Sequence, residues 1–209
     1  MKKIKLLLLI LFLVNISFAQ EQPEIKWWDP ANNEFPVVEG NAWPDDCKSV
    51  YHRLPARVDT NVREVVWKLS KHSAGLSMRF WSNANSILVR YKLEGKISMP
   101  HMPSTGVSGL DLYSKTYNGR WLRCWGSYSI DTISNYNFKI GDSSEAYIKY
   151  GREYQLFLPL YNEVETLEIG IHEGSFLEVL PLRKEKPIVA YGTSICQGAC
   201  VSRPGMACY

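Results

Sequence analysis

The sequence predicts a mainly β chain, an antiparallel β-sandwich of jelly-roll type. Three observations carry this. Apolar and polar residues alternate at period two from Val62 onward. Turn signals separate the alternating runs at close spacing. No stretch between Gln20 and Leu180 reads as a convincing amphipathic helix.

The chain begins with a segment expected to lie outside the fold. Lys2, Lys3 and Lys5 form a basic start, Leu6–Val14 is an unbroken apolar run, and Ser17-Phe18-Ala19 puts small residues at −3 and −1. That is the layout of a cleavable signal peptide over residues 1–19, with secretion or periplasmic export as the expected address. The run is too short for a membrane span, which takes about 20 apolar residues. The leader holds three Lys and no acid. The mature chain is therefore balanced in charge, and the basic excess gives no support for nucleic-acid or anionic-membrane binding.

The strands follow in order. Leu76, Met78 and Phe80 alternate with Ser77, Arg79 and Trp81. Ile87, Val89 and Tyr91 alternate with Leu88, Arg90 and Lys92, and Leu167, Ile169 and Ile171 with Glu168, Gly170 and His172. Each run can put one face on a core and one in water. Asn118-Gly119 suits a two-residue type I′ hairpin between 109–117 and 120–128. A second hairpin is expected at Gly151-Arg152, between "EAYIKY" and "EYQLFLPLY".

"RKEKP", Arg183–Pro187, is charged and ends in Pro, which marks a boundary after a β-domain of residues 20–183. "IVAYG" then reads as a buried strand of a parallel sheet. A lone strand of that kind has no neighbour for its backbone, so the tail is expected to be loosely held. Five Cys make an odd set with no C-x-x-C pair, so structural zinc is a poor reading. Cys196 and Cys200 read as small buried residues.

The tail carries the chemistry. Ser194 follows Gly192-Thr193, as if presented as a nucleophile. Cys196 stands where a nucleophile elbow needs Gly, which excludes an α/β-hydrolase elbow. A P-loop needs Gly-Lys directly before the Ser or Thr, and no Lys is near Ser194, which excludes a P-loop. A subtilisin-like order needs an Asp and a His in motifs upstream that are not found. The bland alternative is a serine capping a following helix.

"PIVAYGTSICQGACVSRPGMACY" resembles block I of the SGNH/GDSL esterases, in the branch with Gly-Thr-Ser for Gly-Asp-Ser. "YHRLP", "VWKLSKHSAGLSMRF", "ILVRYKLEG" and "MPHMPSTGVSGLDLY" resemble the N-terminal β-domain of those esterases, with its G-x-D-L-Y signature at Gly109–Tyr113. The resemblance makes residues 184–209 the start of an SGNH hydrolase domain, opening with the first strand of its α/β fold. It implies that Ser194 is the nucleophile and that its N–H is one oxyanion donor. It also implies an acyl-serine mechanism, an acylated glycan or other small ester as substrate, and no metal or cofactor. The family's other oxyanion donors and its Asp-x-x-His base belong to later blocks, none of which lies within the 209 residues. This chain alone is therefore expected to be inactive.

His101, in the Pro-bounded "MPHMPSTG" loop, is a candidate substrate-shaping residue; its bland reading is a rigid turn with the ring bonded to nearby backbone. Seven Trp and twelve Tyr suit sugar stacking. Trp67, Trp121 and Trp125 fit core strands as well. The competing reading is a non-catalytic β-sandwich module that binds glycan or a partner protein.

Overall fold

The structure, a computed structural model, describes residues 24–186 and 188–207. The expected signal peptide, Gln20 and Cys208 lie outside the described residues. Two antiparallel sheets face each other. The first holds β1 (Ile25–Trp28), β10 (Val164–His172), β4 (Ser86–Leu93), β8 (Ile133–Lys139) and β7 (Trp125–Ser129), in that order. The second holds β11 (Leu177–Val179), β3 (Ser77–Ser82), β9 (Arg152–Phe157), β5 (Asp111–Lys115) and β6 (Trp121–Arg123), with β2 (Val38–Glu39) on the same edge of β3 as β11.

The register explains the core. Val89 lies opposite Ile169 on one side and Tyr136 on the other, and Ile87 opposite Ile171 and Phe138. All six are buried. From the second sheet Met78, Phe80, Leu112, Tyr154 and Leu156 close the layer, with Phe80 and Tyr154 stacked at 5.5 Å between centroids. Each buried apolar side chain of this size contributes roughly 1.5–3 kcal/mol. The three alternating runs read from sequence are β3, β4 and β10.

Among the described residues three α-helices interrupt the sheets. In α1 (Glu64–Ser70) only Trp67 and Ser70 are buried, while Glu64 and Lys68 pair at 2.6 Å one turn apart. With a single large apolar residue inward, the helical period is nearly invisible, and the β-branched pair Val65-Val66 imitates a strand. A single turn, α2 (Ser104–Val107), precedes β5. The expected strand "EAYIKY" is α3 (Glu145–Tyr150). Ser144 Oγ caps it by accepting the Tyr147 N–H at 3.3 Å. Tyr147 turns inward to donate to Ala84 O, 2.7 Å away. Gly151, at φ +68°, ends the helix and starts β9, so the turn falls where expected but joins a helix to a strand.

The hairpin at Asn118-Gly119 is also one residue longer than expected. Thr116 N–H bonds to Arg120 O at 2.8 Å and Gly119 N–H to Thr116 O at 2.9 Å. Only Gly119 has positive φ. This is a three-residue loop with a left-handed glycine, not a type I′ pair. Beyond it, β6 belongs to one sheet and β7 to the other. The chain changes sheets at Cys124, whose N–H bonds to Leu112 O at 2.7 Å.

The tail departs most from expectation. Ile188–Gly192 forms no strand, and Ile188 is 98% exposed. A parallel strand forms only between neighbours, and no described strand flanks this one. Ser194–Ala207, however, is not loose. It folds into turns and lies against the sandwich, where Val201 and Ala207 pack on Ala74, Met102, Val107 and Leu160. Cys200 is exposed rather than buried and takes φ +64°. The four described cysteines are free thiols. No described helix is long and apolar enough to cross a membrane.

Candidate functional site

Ser194 opens a compact turn. Gln197 N–H bonds to Thr193 O at 3.2 Å, Gly198 N–H to Ile195 O at 3.0 Å, and Ala199 N–H to Ser194 O at 2.8 Å. The capping oxygen is Thr193 Oγ1, which accepts the Ile195 N–H at 3.4 Å. Ser194 itself is exposed, and no hydrogen bond of its hydroxyl is found among the described residues. Gly198 permits the turn. At φ +98° it suits no other residue, and a Cβ there would stand 2.8 Å from Leu160 Cδ1.

Two groups of sandwich residues hold the tail. The first is the corner between β9 and β10. Tyr161 Oη donates to Ser194 O at 2.8 Å. Gln197 Nε2 donates to Leu160 O at 2.9 Å and lies 3.3 Å from His72 Nδ1. Since the Gln197 amide donates, His72 Nδ1 must accept, which fixes the neutral ring with its proton on Nε2. Burial, with the Arg53 guanidinium adding to it, pushes the His72 pKa down to about 4, so that tautomer persists at neutral pH. The corner is rigid. Leu160 and Asn162 are fully buried, and Asn162 Oδ1 accepts from Gly95 N–H at 2.7 Å while its Nδ2 donates to Ser108 Oγ at 2.9 Å.

The second group is the G-x-D-L-Y signature. Asp111 lies on the outer face of its strand, yet it is 0% exposed. Its carboxylate accepts from Arg123 Nε at 2.9 Å and from Gly205 N–H at 3.2 Å, and pairs with Arg203 Nε at 3.0 Å. The Arg203 contact is an ion pair off the line of a hydrogen bond. Burial raises the Asp111 pKa, and the two guanidiniums oppose that rise. Tyr113 packs edge-on against Phe157 and covers Gly205, where a Cβ would stand 2.7 Å from Tyr113 Oη. Between the two groups, Thr105 Oγ1 donates to Ser202 O at 2.6 Å, and Gly106 leaves room for Val201 O.

The histidines are scattered. His52 is buried and shares 2.9 Å with Glu163 Oε1; burial lowers its pKa. His172 ends β10. His101 is exposed in the Met99–Met102 turn, and no hydrogen bond of its ring is found among the described residues, so neither backbone anchoring nor contact with Ser194 is seen. No His ring bonds to Ser194 Oγ among the described residues.

Of the tryptophans weighed, Trp67 is buried, while Trp125 is 72% exposed with Arg123 4.1 Å from its ring centroid. Tyr161, His72, Gln197 and Arg203 were not singled out from sequence. Asp111 was visible only as a letter of a motif.

Residues 25–177 match the family described as the GxDLY N-terminus of SGNH-hydrolase-type esterases. Residues 185–209 match the GDSL-like lipase/acylhydrolase family. A Bacteroides ovatus protein that carries the name GDSL-like lipase is similar at 29% identity and a TM-score of 0.76. The alignment covers 88% of this chain and 51% of that one, so this chain spans about half its length. A salicylyl-acyltransferase from a tetracycline biosynthetic pathway aligns at 15% identity and a TM-score of 0.45, over 79% of this chain and 41% of that one. No curated protein matches the chain.

Proposed function

The chain belongs to the family of the GxDLY N-terminal domain of SGNH-type esterases, and from that premise we propose that it is the N-terminal part of an exported serine ester hydrolase acting on acetylated glycans. Ser194 Oγ attacks the acetyl carbonyl carbon. The carbon–oxygen bond to the sugar breaks, and the sugar leaves as its alcohol. Water then releases acetate from the acyl-serine. The Ser194 N–H stabilises the oxyanion together with donors from later hydrolase blocks, which also supply the base.

One observation carries this reading. Ser194 is exposed at the head of a turn, with no hydrogen bond of its hydroxyl found among the described residues, inside the segment that matches the GDSL-like family. Export rests on the Lys-rich, apolar, Ser-x-Ala start. The glycan substrate is supported by the exposed ring of Trp125 on β7.

The test is hydrolysis of p-nitrophenyl acetate and acetylated xylan. The 209-residue chain should turn over no faster than its Ser194→Ala variant. The same chain joined to a complete hydrolase domain should be active, and S194A should lose at least about a thousandfold in kcat. Glycan retention with no Ser194-dependent turnover in the longer protein would favour the non-catalytic module instead.

A further inference from the structure

We propose that Tyr161, a residue of the β-sandwich, is a positioning residue for the nucleophile, holding the peptide plane of Ser194 from outside the hydrolase segment. This rests on Ser194 being the nucleophile.

The geometry leads there in three steps. Two peptide planes flank Ser194. The plane before it carries the Ser194 N–H, and the plane after it carries the Ser194 carbonyl. Rotation of either one moves the hydroxyl or the N–H away from a bound ester. The second plane is gripped twice, by Ala199 N–H at 2.8 Å from within the turn and by Tyr161 Oη at 2.8 Å from the sandwich. Both lone pairs of that carbonyl are thereby used. The first plane is held through Thr193 O, which accepts the Gln197 N–H at 3.2 Å. Gln197 is tied in turn to Leu160 O and His72.

Both planes therefore lead back to one corner of the sandwich, residues 160 and 161. That corner suits the task. Tyr161 N–H bonds to Val107 O at 3.0 Å, Leu160 is fully buried, and Asn162 is bonded on its amide oxygen and nitrogen. A group placed to within about half an ångström needs such locked support. Burial raises the Tyr161 pKa, so the phenol remains a donor at neutral pH. Thr193–Ile195 at the head of the turn are exposed while Gly198 is buried against Leu160, so the orientation of the head follows these bonds to the sandwich.

Tyr161→Phe removes one hydroxyl and leaves the ring and the Val107 bond in place. Two measurements test it. In the 209-residue chain, hydrogen exchange at the Ala199 amide should quicken about five- to tenfold, with exchange in β4 and β10 unchanged. In the enzyme with its complete hydrolase domain, Y161F should lower kcat about five- to tenfold with KM held within about twofold. Gln197→Ala, which keeps the backbone bond to Thr193 O but removes the side-chain ties to Leu160 O and His72 that anchor it, should do likewise. Unchanged exchange, or unchanged kcat, overturns the role given to Tyr161. A loss that falls on KM alone also overturns it, because a group that merely shapes the substrate site would act there. S194A is run beside these variants. Full activity in S194A removes the nucleophile reading itself, whereas an inactive S194A beside a Y161F equal to wild type removes only the role of Tyr161.

Discussion

Replacing Asp111 by alanine takes away a fully buried carboxylate that faces two guanidiniums and one backbone N–H. Two unit charges 3.0 Å apart attract by roughly 5–6 kcal/mol at an effective dielectric near 20. Desolvation of the carboxylate consumes much of that, which is why its pKa rises on balance. Alanine, however, also strands Arg123 and Arg203 beside each other. Breaking one side of a buried pair costs about 3–5 kcal/mol. Arg123 and Arg203 keep 26% and 27% of their side chains in water, so the lower end, about 3 kcal/mol, is expected. Asparagine strands the same two guanidiniums and keeps one acceptor oxygen, with its amide nitrogen, a donor, turned to the other side, so Asp111→Asn should cost about 2–3 kcal/mol, close to alanine. Urea unfolding of the three proteins measures both costs, and hydrogen exchange over Arg203–Ala207 reports whether the tail has lifted. An Asp111→Ala variant within about 0.5 kcal/mol of wild type, with the tail still protected, would refute the reasoning. So would an asparagine variant as stable as wild type.

His72 provides a pH prediction. Its folded pKa, about 4, lies below its ordinary value, so the unfolded chain takes up a proton first. Stability is then fully present above the ordinary histidine range and falls as pH drops from about 6.5 towards 4, by up to about 3 kcal/mol. Protonation also turns Nδ1 into a donor facing the Gln197 amide. His72→Gln should flatten this part of the urea-midpoint profile between pH 7 and 4.5; equal slopes in the two proteins would exclude His72 as the source. Gly205→Ala should force Tyr113 or the Arg203–Gly205 turn to move, since its Cβ would stand 2.8 Å from Asp111 Oδ2. A loss of about 1–3 kcal/mol with faster exchange confined to the tail is expected. A stability unchanged in urea would count against the packing described for Tyr113.

What the sequence discloses follows from how each feature is encoded. β3, β4 and β10 each bury one face along at least six residues, so period two appears plainly. α1 and α3 are short and bury only one or two residues each, too few for a helical period to rise above neighbouring Val or Tyr. Asn118-Gly119 marked a turn but not its length, because the third loop residue, Tyr117, has no turn signature of its own. Ser194 stood out as a candidate by its motif. Tyr161 did not, since nothing local separates it from the other tyrosines; its bond is to Ser194 O, far along the chain. Asp111 lies between these cases. An acid on the outer face of a strand predicts solvent, and its complete burial reveals that another segment must cover it. That cover, Arg203–Gly205, is remote in sequence and came only with the fold.

The strand order has a consequence for the time course of synthesis. β4 sits in the middle of its sheet, yet both its neighbours, β8 and β10, come later in the chain, and β1 must wait for β10. At about 5–20 residues per second on the ribosome, Ile87, Val89 and Tyr91 are made seconds before the strand that carries Leu167, Ile169 and Ile171. No local hairpin shields them meanwhile. One edge of β4 therefore stays unpaired until β10 arrives, after β8 has taken the other, and the last strand of this sheet to be made joins β1 to it. Closure through such distant pairings is slow. Within the first sheet, β1 has no partner until β10 is made.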